Sequence, residues 1–300
     1  MRSHIMKGVM LAAYGTPSTM DDIERFYTDI RRGVKPSREQ LEGLKARYAA
    51  IGGPSPLNSI TLRQVDKLQR ALDSEGKEMR VYSGMKHSRP SLGDTVRRMY
   101  DDGIAEALCI VLAPHHSITG TELYVNGVKE ANNMLRGSID IGFVRSWHMQ
   151  SELIAFWSRS IAEAGKNAKD ALVVFSAHSL PAKTEDKGTY RKQLMETSAA
   201  VAKASGLSHW VLAFQSRSGN ADDWYGPTIT EAVSSQREPG EDVIVAPIGF
   251  VSDNLEILYD IDIECMGWAN SNGITLSRAR LPNDSGYLTN ALMGLVDDAA

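Results

Sequence analysis

Cysteine is scarce in this 300-residue chain. There are only two, Cys109 and Cys265, far apart in sequence. That excludes a four-thiolate zinc site and a cysteine-ligated iron–sulfur cluster. No disulfide framework is suggested, so a reducing compartment, the cytoplasm, is expected. Cys109 lies in the apolar run Ala107–Leu112 and reads as a small buried hydrophobe. No apolar run approaches the roughly 18 to 20 residues that span a bilayer, and the N-terminus lacks the apolar core of a signal peptide. Charge of one sign is lacking too: 33 Lys and Arg stand against 37 Asp and Glu, a formal net charge of -4. Nucleic acid therefore loses weight as a partner, while an anionic small ligand stays open because local basic clusters outweigh the total. Three chemical signatures are missing as well: a phosphate-binding glycine loop with Lys-Ser/Thr, a Gly-x-Ser-x-Gly elbow and a His-Glu-x-x-His helix. Gly52-Gly53-Pro54-Ser55-Pro56 is glycine-rich, but its prolines make it a rigid turn. Met1–Ile5 read as a vector remnant before Met6, and His4 is given no function.

What is present alternates. Short β-prone runs are expected as strands at Val9–Tyr14, Arg80–Ser83, Ala107–Leu112 and Ile139–Arg145, then at Ala171–Ala177, His209–Phe214, Asp242–Pro247 and Ile274–Arg278. Most are continuously apolar, the mark of parallel strands buried on both faces. Helical stretches lie between them, among them Asp21–Arg32, Ser59–Ser74, Leu92–Asp102 and Thr189–Ala204. Strand–helix alternation predicts an α/β fold with parallel sheets.

The halves repeat a plan. Ala13-Tyr14-Gly15-Thr16-Pro17 ends the first strand of one half, and Ala177-His178-Ser179-Leu180-Pro181 ends the first strand of the other. Ala113-Pro114 followed by Glu122 and Tyr124 is answered by Ala246-Pro247 followed by Glu256 and Tyr259. Two similar lobes are expected, with polar residues emerging at the carboxyl ends of parallel strands, where open α/β sheets bind ligands. The lobes are expected at 7–147 and 148–284, with 285–300 a closing helix packed back on the first.

Three groups of residues suit chemistry. His178 at a strand end can serve as base or metal ligand, since imidazole titrates near neutrality; a histidine that only bonds a loop is the commoner case. Asp253 or Asn254 is placed to cap a helix in which Glu256, Asp260 and Glu264 fall at i, i+4 and i+8. Leu255, Leu258, Ile261 and Cys265 line another face. Three carboxylates in a row repel one another, so they invite a cation or proton traffic, and hard oxygens beside an imidazole suit ferrous iron. A solvated acidic face is the alternative. Arg31, Arg47 and Lys86, with Ser55 and Tyr124, are placed to hold an anionic substrate or are ordinary surface polarity.

Seven segments together resemble the ferrochelatase family: Ala13–Pro17, Ile51–Leu57, Gly84–His87, Leu112–His115, Ser176–Pro181, Phe214–Arg217 and Pro247–Asp253 continuing to Asp260. The match runs from about Lys7 to Leu295, and it is most like the soluble bacterial members that act on coproporphyrin III. The resemblance implies two Rossmann-like lobes, each a parallel sheet flanked by helices, with a porphyrin cleft between them. It implies a catalytic His178 facing Glu256, and metal contacts at His178, Glu256, Tyr14, Asp260 and Glu264. It implies substrate contacts at Tyr14, Arg31, Arg47, Ser55, Lys86 and Tyr124. Ferrous iron is then a substrate, no organic cofactor or iron–sulfur cluster is expected, and a cytoplasmic monomer is the expected state. The charged segment Lys35–Tyr48 resembles the lip over the cleft and argues against an apolar, membrane-seated lip. The rival readings are a protoporphyrin IX ferrochelatase, a chelatase for another metal or tetrapyrrole, and a non-catalytic tetrapyrrole binder. The last would need neither His178 nor the acidic row.

Overall fold

The computed structural model describes residues 6–165, 168–183, 188–217 and 223–299; Met1–Ile5 and Ala300 lie outside them. Two four-stranded sheets of parallel strands dominate. The first holds β1 (Lys7–Ala13), β2 (Met79–Met85), β3 (Glu106–Val111) and β4 (Asp140–Val144) in the order β2-β1-β3-β4. The second holds β5 (Leu172–His178), β6 (Trp210–Gln215), β7 (Val243–Ala246) and β8 (Leu276–Arg278) in the order β6-β5-β7-β8. The two orders are the same, so the repeat read from the short peptides is a repeat of topology. Registers run without a break, from Lys7↔Met79 to Ala13↔Met85 and from Val173↔Trp210 to His178↔Gln215.

The continuously apolar strands are the buried ones. Six of seven residues of β5 and all four of β7 are buried, as parallel strands covered on both faces require. Helices α1 (Ile23–Ile30) and α2 (Arg38–Ala50) pack on each other, while α3 (Leu57–Ser74), α4 (Leu92–Asp101) and α5 (Thr121–Met134) cover the first sheet and α6 (Ser151–Ala164), α7 (Thr189–Ser205) and α8 (Ile229–Gln236) the second. Several starts are written locally. Ser37, Ser91 and Thr228 each close a capping box with Gln40, Asp94 and Glu231, which satisfies otherwise orphaned N–H donors. Gly52 and Gly53 take φ of 89° and 125°, open to glycine alone, and turn the chain from α2 into α3.

One core joins the halves. Leu11, Leu68 and Ile110 of the first lobe share a buried cluster with Trp157, Phe175 and Val245. A separate cluster fills the other face of the first sheet around Met10, Tyr82, Val96 and Cys109. The last helix, α10 (Gly286–Ala299), packs on α3 and α6. No helix among the described residues is long and apolar enough to cross a membrane.

The acidic segment departs from expectation. It was expected to be α-helical, yet Ile257–Cys265 is a π-helix, continued by α9 (Met266–Ser271). Such a stretch is rare and favours functional sites. The wider turn also moves the apolar face: Ile257, Ile261 and Cys265 are buried, while Leu255 and Leu258, which α-periodicity puts inside, are only half-buried.

Candidate active site

The carboxyl ends of β1 and β5 carry the two mouths. His178 is the last residue of β5. Its Nδ1 bonds the Ser179 carbonyl, which fixes the ring and sends Nε2 toward Glu256 Oε1, 3.4 Å away. Both side chains are about a third exposed. Burial alone would push the imidazole down. The Glu256 carboxylate, the Ser179 carbonyl and Asp260 outweigh it and raise His178 to about 9. Burial likewise opposes the Glu256 charge, but His178 and Arg47 hold that carboxyl below its ordinary range. At neutral pH the pair is therefore imidazolium and carboxylate.

Asn254 sets where Glu256 begins. Its Oδ1 accepts from the N–H groups of Glu256 and Ile257 at 2.9 and 3.2 Å. Asn254 is thus the cap, whereas Asp253 turns to Arg278 and Asn283. Asp260 accepts from the Ser216 hydroxyl and pairs with Arg47. Burial raises its carboxyl, and Glu256 and Glu264 raise it further against those two partners. Glu264 lies exposed. The three carboxylates thus run from a half-buried inner end at Glu256 to open solvent at Glu264. Among the described residues no three His, Cys, Asp or Glu side chains converge on a metal-sized point.

The opposite mouth is aromatic and cationic. Tyr14 follows β1 and is 40% exposed. Its ring packs edge-on against His87 at 4.6 Å between centroids, and His87 Nδ1 meets Asp29 at 2.6 Å. Lys86 Nζ stands 5.7 Å from the Tyr14 ring centre and 5.1 Å from that of buried Tyr124. Burial, then Arg32, lowers Lys86 to about 8, with Asp29 opposing. Burial raises the Tyr14 phenol, and Glu256 adds to it. Burial and then Tyr14 and Glu256 do the same to Tyr124. The charge of the second lobe is thus felt inside the first.

The remaining expected contacts are placed less directly. Ser55 is buried and donates to Thr16 Oγ1 at 2.9 Å, which in turn meets Tyr48 OH at 3.2 Å. Arg31 Nε donates to the Val34 carbonyl at 3.2 Å and its guanidinium lies over Tyr27. Arg47 crosses to the second lobe, on Asp260 and 4.7 Å above the Tyr259 ring. The charged lip helix α2 is therefore tied to the acidic row. Ser216, within the segment Phe214–Arg217, and Arg278, at the end of an expected strand, were given no role in the sequence. Ser216 sits at φ 59°, uncommon for a residue with a side chain, and no local pattern announces that. A separate hollow of about 440 Å³ is lined by Lys67, Arg159, Glu163, Arg278, Arg280 and Asp284 among others, but by neither His178 nor Glu256. Its charges already pair with one another.

Two parallel-sheet lobes of the same strand order are the fold of solved two-lobed chelatases. The sirohydrochlorin chelatase SirB of Bacillus subtilis subspecies spizizenii, solved with cobalt, shares this fold at a TM-score of 0.63 and 10% identity, over 99% of this chain and 96% of that one. CbiX, the terminal enzyme of sirohaem biosynthesis in denitrifying bacteria, shares it at 0.55 and 13% identity, over 98% and 99%. The ferrochelatase family model matches residues 6–300. The chain belongs to the ferrochelatase family. It is 40% identical to the coproporphyrin III ferrochelatase of Anoxybacillus flavithermus, covering 96% of this chain and 95% of that one. It is 37% identical to coproporphyrin III ferrochelatase 1 of Bacillus anthracis, covering 96% of each.

Proposed function

We propose that this enzyme inserts ferrous iron into coproporphyrin III, with His178 and Glu256 as its catalytic pair. The observation that carries the reading is the 3.4 Å contact between His178 Nε2 and Glu256 Oε1 at the mouth of the second sheet. Metallation releases two pyrrole protons and admits one dication. Before the metal arrives His178 holds a proton, since Glu256 raises it to about 9 against burial. A dication beside Glu256 competes for that carboxylate and repels the imidazolium, so His178 gives up its proton as the metal arrives. The neutral imidazole then accepts the two pyrrole protons in turn, passing each, as it passed its own, to Asp260. Asp260, already biased toward the protonated state by burial, relays protons outward to Glu264, and iron travels the same row inward. Tyr14 approaches the metal from the first lobe.

Lys86, with Tyr14 and Tyr124 around it, is the leading anchor for substrate carboxylates, joined by Arg31, Arg47 and Ser55 once the lip helix moves. Arg47 must leave Asp260 to do so, which couples substrate entry to the acidic row. A sheltered charge-assisted carboxylate bond contributes about 1.5 to 3 kcal/mol. Four propionates, against two in protoporphyrin IX, therefore favour coproporphyrin III, as the names of the relatives also do. We further take the enzyme to be a cytoplasmic monomer with lobes at 7–147 and 148–284, needing no organic cofactor or iron–sulfur cluster. Anaerobic kcat/KM for iron with both porphyrins tests the reading. Preference for protoporphyrin IX would move the substrate assignment, and no turnover with either would return the protein to a tetrapyrrole binder.

A further inference from the structure

A nine-residue π-helix needs something to hold it. Its i→i+5 bonding is the less common choice, and the same residues can wind as an α-helix. The two forms turn by about 82° and about 100° per residue. Counting from Glu256, rewinding would rotate Asp260 by about 70° and Asp262 by about 110°. The acidic row would then point elsewhere.

Arg278 meets the helix where that rotation is large. It ends β8, paired at Val245↔Arg278 in the sheet, and its side chain is only 15% exposed. Nε and Nη2 reach the two oxygens of Asp262 at 2.6 and 2.9 Å. Nη1 reaches Asp253, just before the helix, at 3.3 Å. Asp253 is itself gripped by Asn283, whose Nδ2 donates at 2.7 Å and whose Oδ1 accepts from the Asp253 N–H at 2.8 Å. The planar guanidinium thus spans the start of the helix and its sixth residue, a fork that an ammonium cannot match. Asp260, two residues from Asp262 and so on nearly the opposite flank, is held by Ser216 and Arg47. The Arg278 flank stays fixed to the sheet, while the Arg47 flank belongs to a helix of the other lobe.

We propose that Arg278 is a positioning residue for metal delivery: its fork on Asp253 and Asp262 holds the π-helix in register, and so aims Glu256, Asp260 and Glu264 along one line. The inference rests on the reading of those three carboxylates as the metal's route.

The test measures iron insertion under anaerobic conditions for Arg278→Met, Arg278→Lys and Asp262→Asn, with Glu256→Gln and Asp260→Asn as controls for the route. Outer partners of metal-handling groups typically carry about 10- to 100-fold in affinity or activity. Arg278→Met should raise the KM for iron about tenfold or more, with porphyrin Kd unchanged, and should speed amide exchange across residues 257–265. Asp262→Asn should match it, the double variant should add little, and Arg278→Lys should fall between. If Arg278→Met does not fold, the partly exposed Asp262→Asn decides alone. Folded variants with wild-type iron KM and wild-type exchange would overturn the proposal, as would a loss of thermal stability with no change in iron KM. If Glu256→Gln and Asp260→Asn themselves leave iron KM and kcat untouched, the route reading fails instead.

Discussion

The ends of β1 and β5 occupy the same place in two sheets of the same strand order, yet they carry opposite chemistry. The first mouth sets Tyr14, Tyr124 and Lys86 together, and burial depresses its cation to about 8. The second sets His178 against Glu256 and raises its cation to about 9 against burial. One lobe presents aromatic faces and an ammonium. The other presents a proton store leading to a row of carboxylates. The proposed reaction, in which a flat, carboxylated ring loses two protons and gains a dication, calls for surfaces so divided. Repeating a fold supplies two facing mouths, and the division of charge between them makes the pair useful.

The comparison breaks most completely at His178. His178→Ala should reduce kcat for iron insertion by about 10²- to 10⁴-fold, the range for a lost acid–base group, with coproporphyrin binding retained by fluorescence quenching. A loss under tenfold would remove His178 from the chemistry. Glu256→Gln comes next, with a fall of about a hundredfold and a change in pH dependence. Deprotonation of wild-type His178 rises through about pH 9. Without the carboxylate that lifts it, the imidazole deprotonates at lower pH, so the acid limb of kcat/KM should shift that way. Stability follows the same sign. A histidine raised from 6.5 to about 9 in the folded state contributes stability that is full below pH 6.5 and is lost as pH rises through 9. Wild-type Tm should therefore fall more than that of Glu256→Gln between pH 6 and 9.5. The effect stays small because both side chains are a third exposed.

Lys86 sharpens the contrast from the other side. Lys86→Met should raise coproporphyrin KM about tenfold, equivalent to roughly 1.4 kcal/mol, and leave kcat within a factor of two or so. Because burial lowers Lys86 to about 8, the free enzyme loses that positive charge above pH 8. Wild-type affinity should weaken there while the variant stays flat. Equal pH dependence in both would take Lys86 away from the carboxylates.

Much of this is legible in the sequence. Runs such as Val173-Val174-Phe175 are buried on both faces, so their apolarity marks β5, and His178 closes the strand after the small buried pair Ser176 and Ala177. The eight expected strands lie within two residues of those found. The π-helix was hidden because a row stepping by four residues looks alike in both windings until it is seen which apolar residues are buried. Arg47 and Asp260 are 213 positions apart, so no local spacing could pair them. Arg278 gives no signal either, because an arginine ending a strand usually meets only water, and its worth here comes from two aspartates brought to it by the fold. The proton affinity of His178 belongs to the same class: it is set by Glu256, which only the folded chain puts alongside.

The smallest expected effect concerns the outer end of the acidic row. Glu264 is exposed and hydrated, whereas Asp260 has only 10% of its side chain exposed and Glu256 touches His178. A charge in open solvent acts over about one Debye length, roughly 10 Å at 0.1 M salt. Glu264 adds to the raised proton affinity of Asp260, and in the proposed route it gathers iron at the outer end without holding it tightly. Glu264→Gln should raise the iron KM about two- to threefold at low ionic strength, leave kcat unchanged, and become indistinguishable from wild type near 1 M salt, where screening shortens to about 3 Å. Glu256→Gln should stay impaired at the same salt, since its partner is in contact. If Glu264→Gln keeps its defect at high salt, the outer carboxylate acts by direct contact, and the contrast between a screened outer charge and a contact-bound inner one gives way to a set of equal ligands.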